Sequence, residues 1–519
     1  MELSKNMSKS NFRIIISFTL ISVLSIASCS KEPYVSIRDT TFKQLAAVRS
    51  AKKKSVISHF EKLFKKATDA GSSDVLLNNF FSRRPNNKPL MMEIPTYSIK
   101  ETSLDYYYVK NLNEFYDVLF IDKDGYIFNT IKRESDFRNN IFKGELAGSL
   151  LSKQLKSNPN VRFVDYDYYA PSKEAASFIV SPVKKNEVLA GWIIFQYSIN
   201  TINGLLTIVD KNENLGNTGE VYLVNKNKVM LSQSRFSPKN TVMNFKVDTK
   251  SLKTALEKGI GQIVAEDYRG VRVFSSFEKI SFMGNNWILV AEIDEDEVIT
   301  KYFRQNFDYY IDKIFQKSYS GIDNNLVKKD VDANLIKVDI NEYASGTKGD
   351  VLSTLGVSTC TGLIISYPGK FSYLGHIYPL DSTFFSTFEK STINLLFRAK
   401  GEVFGDGNND LFGRMFREIR EFRIYPSEIR NLNVVIVAVH TDNMKTIIER
   451  VLDSGMTLSQ IKVLYAPEME YANILNSVGE NEISISWVDA GRGKKTYSSP
   501  SNVKDLGVIV KEISGYSPI

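Results

Sequence analysis

The stretch Thr354-Leu-Gly-Val-Ser-Thr-Cys360-Thr-Gly-Leu-Ile-Ile-Ser-Tyr-Pro-Gly-Lys-Phe-Ser-Tyr-Leu-Gly-His376-Ile-Tyr-Pro-Leu380 decides how the C-terminal half of this chain is read. Leu363-Ile364-Ile365 reads as a buried strand, Pro368-Gly369 as a turn, and Phe371 to Tyr378 as the returning strand. Gly356 permits a tight turn just before the cysteine. A hairpin of this kind brings Cys360 and His376 side by side, in a chain with only 2 cysteines and 3 histidines. A thiol attacks carbonyl carbon as the thiolate, and a neighbouring imidazole is a suitable base. Thr354 can accept the other imidazole N–H and fix the tautomer. The plainer reading of the same residues is a small buried cysteine and a satisfied histidine.

These residues resemble the active-site region of the chemoreceptor glutamine deamidase family, CheD. Thr354, Leu355-Gly356, Cys360 and Gly375-His376-Ile377 fall where that family's pattern has them. Ile336 to Tyr343 resembles its opening strand. Val434 to Val439, His440-Thr-Asp-Asn443 and Met444 to Leu452 resemble its strand–turn–helix. Two features depart: Ser358-Thr359 stands in place of Gly-Ser, and no Gly-Gly-x-x-Gly-Arg-like segment follows. The resemblance implies a layered α/β cysteine hydrolase domain over residues 331–519, with Cys360 as nucleophile, His376 as base and Thr354 as orienting group. Its substrate would be a protein carrying Gln or Asn side chains. A related hydrolase acting on a thioester, ester or peptide shares the same nucleophile chemistry. His440, at the end of a strand, is a weaker candidate for the same site.

The other cysteine has a different context. Lys5, Lys9 and Arg13 precede the apolar run Ile14 to Ile26, which leads into Ala27-Ser28-Cys29. This is the pattern of a bacterial lipobox, with residues 1–28 as signal peptide, Cys29 as the lipidated residue and 29–35 as a tether. The alternative is an uncleaved anchor or a plain secretory signal. Either way the sequence points to the cell envelope, periplasmic or surface-exposed. With Cys29 acylated, Cys360 is the remaining thiol and no intramolecular disulfide forms.

A length of 519 residues suggests about three domain-sized units. The net charge of +7 is spread among acidic residues apart from Lys52-Lys53-Lys54, which reads as a solvated helix face rather than a nucleic-acid patch. No repeat is evident. The histidines and the free thiol are too dispersed for a zinc site, and no cofactor is expected.

From Ser36 to Lys66 the positions Phe42, Leu45, Val48, Val56, Phe60 and Leu63 have helical spacing. Such a rod packs against a sheet and also offers a homodimer seam. Gly71-Ser-Ser73 ends it. Phe115 to Ile121, Asp122 to Gly125 and Tyr126 to Ile131 form a hairpin signal around an Asp-Gly turn. Phe142 to Leu155 reads as a helix. Ser177 to Val183, Leu189 to Tyr197, Val221 to Val224, Val229 to Ser232, Val271 to Phe277 and Trp287 to Ile293 read as strands. Val298 to Lys317 reads as a helix before a polar linker, and Ile461 to Tyr465 as a late strand.

The runs Tyr116 to Gly125, Lys132 to Phe137, Tyr169 to Ser172, Gly216 to Val224, Met230 to Arg235 and Asn286 to Ala291 resemble the double Cache sensor domain of bacterial chemoreceptors and sensor kinases. The resemblance implies an α+β fold over 36–302, a long N-terminal helix with two PAS-like antiparallel sheets, joined by a helix and linker over 303–330 to the CheD-like domain. It also implies a small-molecule pocket. Arg162, Tyr166, Tyr168 and Tyr169 could hold a carboxylate or aromatic ring there, or the tyrosines could simply cover the sheet. Gln196 stands where amino-acid-binding members carry an acid, which disfavours an amino-acid ligand. The expectation is a lipid-anchored sensor that also deamidates a protein. The alternative is a non-catalytic binding lipoprotein with a docking module.

Overall fold

The computed structural model describes residues 32–82, 104–207, 215–315, 334–378, 411–424, 426–479, 482–498 and 504–514. The signal segment and Cys29 lie outside the described residues. The chain divides into two compact units, one from Thr40 to Asp294 and one holding the residues up to Asp39 together with those from Glu295 onward.

Helix α1 runs from Glu32 to Gly71, 40 residues, a rod of about 60 Å. Leu45, Val48, Val56, Phe60, Leu63 and Ala67 recur at helical spacing and are buried. The Lys52 to Lys54 run is not a uniform solvated face. Lys52 is buried, with its Nζ donating to the Leu205 carbonyl at 3.2 Å, and Lys53 pairs with Glu278. Helix α1 ends at the glycine its sequence marks, and α2 (Asp74–Ser82) and α3 (Leu104–Asn111) follow.

The first sheet of this unit contains β1 (Asp117–Asp122), β2 (Ile127–Thr130), β3 (Phe163–Tyr169), β4 (Glu174–Lys185) and β5 (Val188–Ser198). Their order is β2-β1-β5-β4-β3, antiparallel throughout. Gly125 takes a φ of +86° in the β1–β2 turn, a conformation cheap only without a Cβ. The helix expected over Phe142 to Leu155 is instead a short 3₁₀ turn, Gly144–Gly148, followed by α4 (Leu150–Ser157). Ser149 separates them, because its hydroxyl accepts the Ser152 N–H and starts a new helix there. After α5 (Asn200–Thr207), the second sheet is built from β6 (Glu220–Asn225), then, beyond α6 (Lys250–Lys258), β7 (Ile260–Glu266), β8 (Arg272–Phe282) and β9 (Asn285–Asp294). Their order is β6-β9-β8-β7. Val229 to Ser232, expected as a strand, makes only isolated bridges from Val229 and Met230.

Helix α1 contacts both sheets. Phe42 lies edge-on to Phe274 of β8 with centroids 5.5 Å apart, and Arg49 Nη1 donates to Ser276 Oγ at 2.7 Å. Farther along, Phe60 packs on Phe163 of β3 at 5.8 Å and on Trp287 of β9 at 5.0 Å. At its end Gly71 approaches β4 so closely that an added Cβ would lie 2.3 Å from Ser181 Oγ. The two sheets are also joined directly: Trp287 Nε1 donates to Asp165 Oδ1 on β3 at 2.9 Å.

The second unit includes α7 (Glu295–Gln305) and α8 (Phe307–Phe315), two helices where one was expected. Phe303, Phe307 and Ile311 from these helices enter this unit's core, and Thr300 Oγ1 accepts the Leu458 N–H at 3.1 Å. The segment read as a linker helix is thus part of a packed layer. The strands are β10 (Asn334–Lys337), β11 (Tyr343–Gly346), β12 (Asp350–Val357), β13 (Thr361–Tyr367) and β14 (Phe371–Ile377). Then come α9 (Leu411–Phe422), β15 (Asn433–Ala438), α10 (Thr441–Asp453), β16 (Ile461–Tyr465), β17 (Tyr471–Ser477), β18 (Glu482–Asp489), β19 (Lys494–Ser498), β20 (Lys504–Asp505) and α11 (Gly507–Ser514). One sheet has the order β10-β12-β17-β18-β19, the other β11-β14-β13-β15-β16-β20. One apolar cluster, with Leu352, Ile364, Leu374, Val437, Ile474 and Trp487, draws on both sheets. Another joins the other face of the six-stranded sheet to α7 to α11, through Leu363, Tyr373, Met415, Ile447 and Ile509. Sheet, sheet and helices make three layers, an α/β arrangement.

Candidate functional site

Alternation along the strands decides which side chains meet. Leu352 and Leu374 both point into the layer between the two sheets of the second unit, so Thr354 and His376, two residues farther on each strand, point there too. Cys360 belongs to the same apolar cluster. Gly362 pairs with His376 across β13 and β14, and Cys360 lies in the bend just before β13, next to Thr361, which pairs with Ile377. Gly362 puts no side chain beside His376, and Ile474 of the facing sheet occupies the space its Cβ would need.

Thr354 Oγ1 lies 2.7 Å from His376 Nδ1 and 2.7 Å from the Val338 carbonyl oxygen. A hydroxyl has one proton, and a carbonyl only accepts. The proton therefore goes to Val338, Oγ1 accepts from Nδ1–H, and Nε2 is left with a bare lone pair. His376 is completely buried, and Nε2 has no hydrogen-bond partner among the described residues. Burial pushes the ring below the ordinary imidazole range, against a smaller opposing effect of Asp339. The backbone holds the residue from both sides: His376 N donates to Glu342 O at 3.0 Å, and Asn341 N donates to His376 O at 2.7 Å. Asn443 Nδ2 adds a bond to the Ile377 carbonyl at 3.0 Å.

Gly356 makes a β-bulge rather than a turn. Pairing of β12 with β17 shifts between Thr354 and Val357, Gly356 has a φ of +71°, and its N–H reaches Asn473 Oδ1 at 2.9 Å. Leu355 is left exposed at 66%. Cys360, at 5% exposure, is nearly sealed. Burial pushes its thiol up, and a contact with Thr359 offsets part of this. Thr354, Cys360 and His376 are thus in one layer, with the base oriented and the sulfur in its neutral form. His440 caps α10 with its side chain exposed, away from this layer.

The residues expected to line a ligand pocket in the first unit do not share one side of its sheet. Tyr169 and Gln196 lie on the face with Phe178 and Ile194. Tyr166 is buried near Ser177 and Tyr197 on the opposite face, and burial holds its hydroxyl protonated far beyond the ordinary phenol range. Arg162 turns to α1, where Nη2 donates to Thr68 Oγ1 at 3.2 Å and the guanidinium lies over Phe64. Tyr168 is 60% exposed. Sequence reasoning missed the acidic groups on the Gln196 face. Asp117 is the Cα partner of Gln196, and Tyr169 Oη donates to Asp136 Oδ2 at 2.8 Å. The signal was present in Glu134-Ser-Asp136, two carboxylates close together within the run Lys132 to Phe137.

A long helix lying along two antiparallel sheets, with polar groups buried on a sheet face, defines a two-sheet unit of the kind found in Cache domains. The family model for the Cache domain, dCache_1, matches residues 35–302, just over half of the chain, and the protein belongs to that family. Cache domains are extracytoplasmic. The chain is similar to the ligand-binding domain of the Pseudomonas fluorescens chemoreceptor CtaA in complex with L-isoleucine. The identity is 14%, over 52% of this chain and 99% of that one, with a TM-score of 0.35. It is also similar to the ligand-binding domain of the Pseudomonas aeruginosa amino acid chemoreceptor PctB in complex with L-Arg, at 17% identity over 36% of this chain and 74% of that one, with a TM-score of 0.26. An extracellular ligand binding receptor from Desulfohalobium retbaense matches at 11% identity over 48% and 40%, with a TM-score of 0.33. No curated protein matches the chain. Among the described residues no helix is long and apolar enough to cross a membrane.

Proposed function

We propose that the protein is a lipid-anchored extracytoplasmic sensor that binds a small molecule through its Cache unit and deamidates protein Gln or Asn side chains through Cys360, His376 and Thr354. The observation that carries the second half is the Thr354–His376 bond. It sets the tautomer so that Nε2 is a free base aimed into the layer that holds Cys360. In the reaction Nε2 takes the thiol proton, and sulfur bonds to the amide carbon. The C–N bond then breaks as His376 returns the proton to the departing ammonia. Water, deprotonated by the same nitrogen, hydrolyses the thioester and leaves a carboxylate on the substrate. For attack, Sγ must turn out of its apolar surroundings toward Nε2.

The test is incubation of the protein with envelope proteins from a bacterial host, reading ammonia release and a mass gain of about 1 Da per modified side chain. Release that persists in Cys360→Ala removes the enzyme reading. A second reading has its own support: the sulfur is nearly sealed and its thiol pushed up, as in a non-catalytic docking module. Iodoacetamide separates the two. An enzyme's Cys360 alkylates in the native state below pH 8.5, and a docking module's reacts only after unfolding.

A further inference from the structure

The four-stranded Cache sheet has buried charges of its own. Glu220 and Glu292 are directly opposed on β6 and β9, and alternation turns them to the layer that holds Tyr222 and Val290. Asp294 follows on the same face at the end of β9, and Asp267 lies in the turn between β7 and β8. All four are buried. Two of them are already provided for. Burial pushes the Glu292 carboxyl up to about 8, so it stays largely protonated in neutral solution. Glu220 accepts the Tyr268 hydroxyl and the Arg235 N–H, each at 2.5 Å. The two aspartates converge on one guanidinium. Arg269 Nε donates to Asp267 Oδ2 and Nη2 donates to Asp294 Oδ1, both at 2.5 Å. The Phe236 ring lies over the group, its centroid 4.3 Å from Cζ. The side chain is only 10% exposed, and Nη1 alone has no partner among the described residues.

Carboxylates at two edges and an aromatic ring on the face are what a planar guanidinium requires. The set does not depend on the side chain it holds. Asp267 Oδ1 accepts the backbone N–H groups of Arg269 and Val271 at 2.7 and 3.1 Å, bonds that any residue at position 269 keeps. Gly270, with a φ of +73°, closes that turn. Asp294 is held through its own N–H, which donates to Thr218 Oγ1 at 3.1 Å. Tyr268, beside the site, is fixed edge-on against Tyr222 and Phe245. We propose that this end of the four-stranded Cache sheet is a guanidinium-binding site that the chain fills with its own Arg269, an internal ligand that holds the end of β9 in place. A tethered group competes at an effective concentration in the millimolar range or above, so free cations at lower concentrations find the site taken. Asp294 is the last residue of β9 and of its compact unit. Loss of Arg269 therefore loosens the strand end by which the chain leaves that unit. An ammonium is a poor substitute, because a compact point charge neither spans both carboxylates in one plane nor stacks on the ring.

The experiment removes the internal ligand and supplies a free one. Thermal melting and hydrogen exchange compare the purified full-length protein with Arg269→Ala and Arg269→Lys. Each is measured alone and with methylguanidinium or methylammonium at about 10 mM, far below denaturing concentrations. Arg269→Ala should melt at least about 5 °C lower, with faster exchange at the end of β9. Methylguanidinium should restore at least about half of that loss and slow the exchange again, methylammonium should restore much less, and neither should change the wild type. Arg269→Lys keeps the charge without the planar fork and should stay destabilised. Arg269→Ala that folds only in buffer containing methylguanidinium also supports the site, and if it folds in neither buffer the lysine variant decides. An alanine variant as stable as the wild type, rescue by neither cation or by both alike, or a lysine variant indistinguishable from the wild type overturns the site and leaves an ordinary buried ion pair.

Discussion

Replacing Thr354 by Val tests the tautomer argument where it is most exposed to error. Valine keeps the shape and removes only the hydroxyl, at a position 1% exposed. The Val338 carbonyl then loses its donor and the His376 Nδ1–H loses its acceptor, two bonds of 2.7 Å in a buried layer. An unmatched buried group costs about 1–3 kcal/mol, so the pair predicts a loss of about 2–4 kcal/mol after the gain from one more buried methyl. That is a large share of the 5–15 kcal/mol typical of a folded domain. Urea denaturation read by circular dichroism measures it, with Thr354→Ser, which keeps both bonds, as the control near wild type. Nitrogen NMR of the imidazole gives the second readout: Nδ1 protonated and Nε2 bare in the wild type, and a mixed population in the valine variant. A loss under about 0.5 kcal/mol with an unchanged ring would refute the reasoning, since no unmatched group would then have been created.

Three further outcomes follow from named groups. His376 and His59 are both held below the ordinary imidazole value of 6.5, mainly by burial, so the unfolded chain binds protons that the fold refuses. Stability is complete above about pH 6.5 and falls as pH drops below it, and His376→Asn should flatten part of that slope in denaturation series at pH 7.5 and 5.5. Glu292 behaves in the opposite sense. Its buried carboxyl is pushed up to about 8 from 4.5, so its stabilising protonation is lost as pH rises through 8. Glu292→Gln should stabilise the protein at pH 9, on the order of 2–4 kcal/mol, and change little at pH 5. Gly191→Ala places a Cβ 2.1 Å from the Ile121 carbonyl oxygen and 2.8 Å from Asp122 Cα. Because both are backbone atoms, the variant should lose more than about 2 kcal/mol in thermal or urea melts.

Much of this architecture is legible in the sequence, because a short period or a turn residue writes it there. The hairpin from Thr361 to Ile377 follows from an apolar run, Pro368-Gly369 and a second run. The long helix follows from the spacing of Leu45, Val48, Val56, Phe60 and Leu63. The Thr354–His376 contact was expected from the triad logic and is present. What escapes is what depends on partners distant in sequence. Lys52 looks like a solvated charge until Leu205 is brought over it. Tyr166 and Tyr169 look like one cluster, but three residues apart on β3 they fall on opposite faces of the sheet. Asp117 reads as an ordinary strand-edge residue, and only register with Gln196 and the folded-back loop at Asp136 reveals it as part of a buried acidic cluster. The burial of Cys360 likewise belongs to a cluster drawn from both sheets, and the hairpin's own residues say nothing of the second one.

Helix α1 is a single uninterrupted rod, seated on β8 through Phe42, on β3 and β9 through Phe60, and on β4 at Gly71. A stiff body resting on several supports slides or tilts as a whole and does not bend at one of them. Loading one end with a ligand would therefore reach the other as translation of a lever, with no joint along the way to absorb it. Replacing the exposed Lys54 and Ser55 by glycine would install such a joint without shifting the helix register, and it should weaken communication along the helix while leaving ligand binding intact.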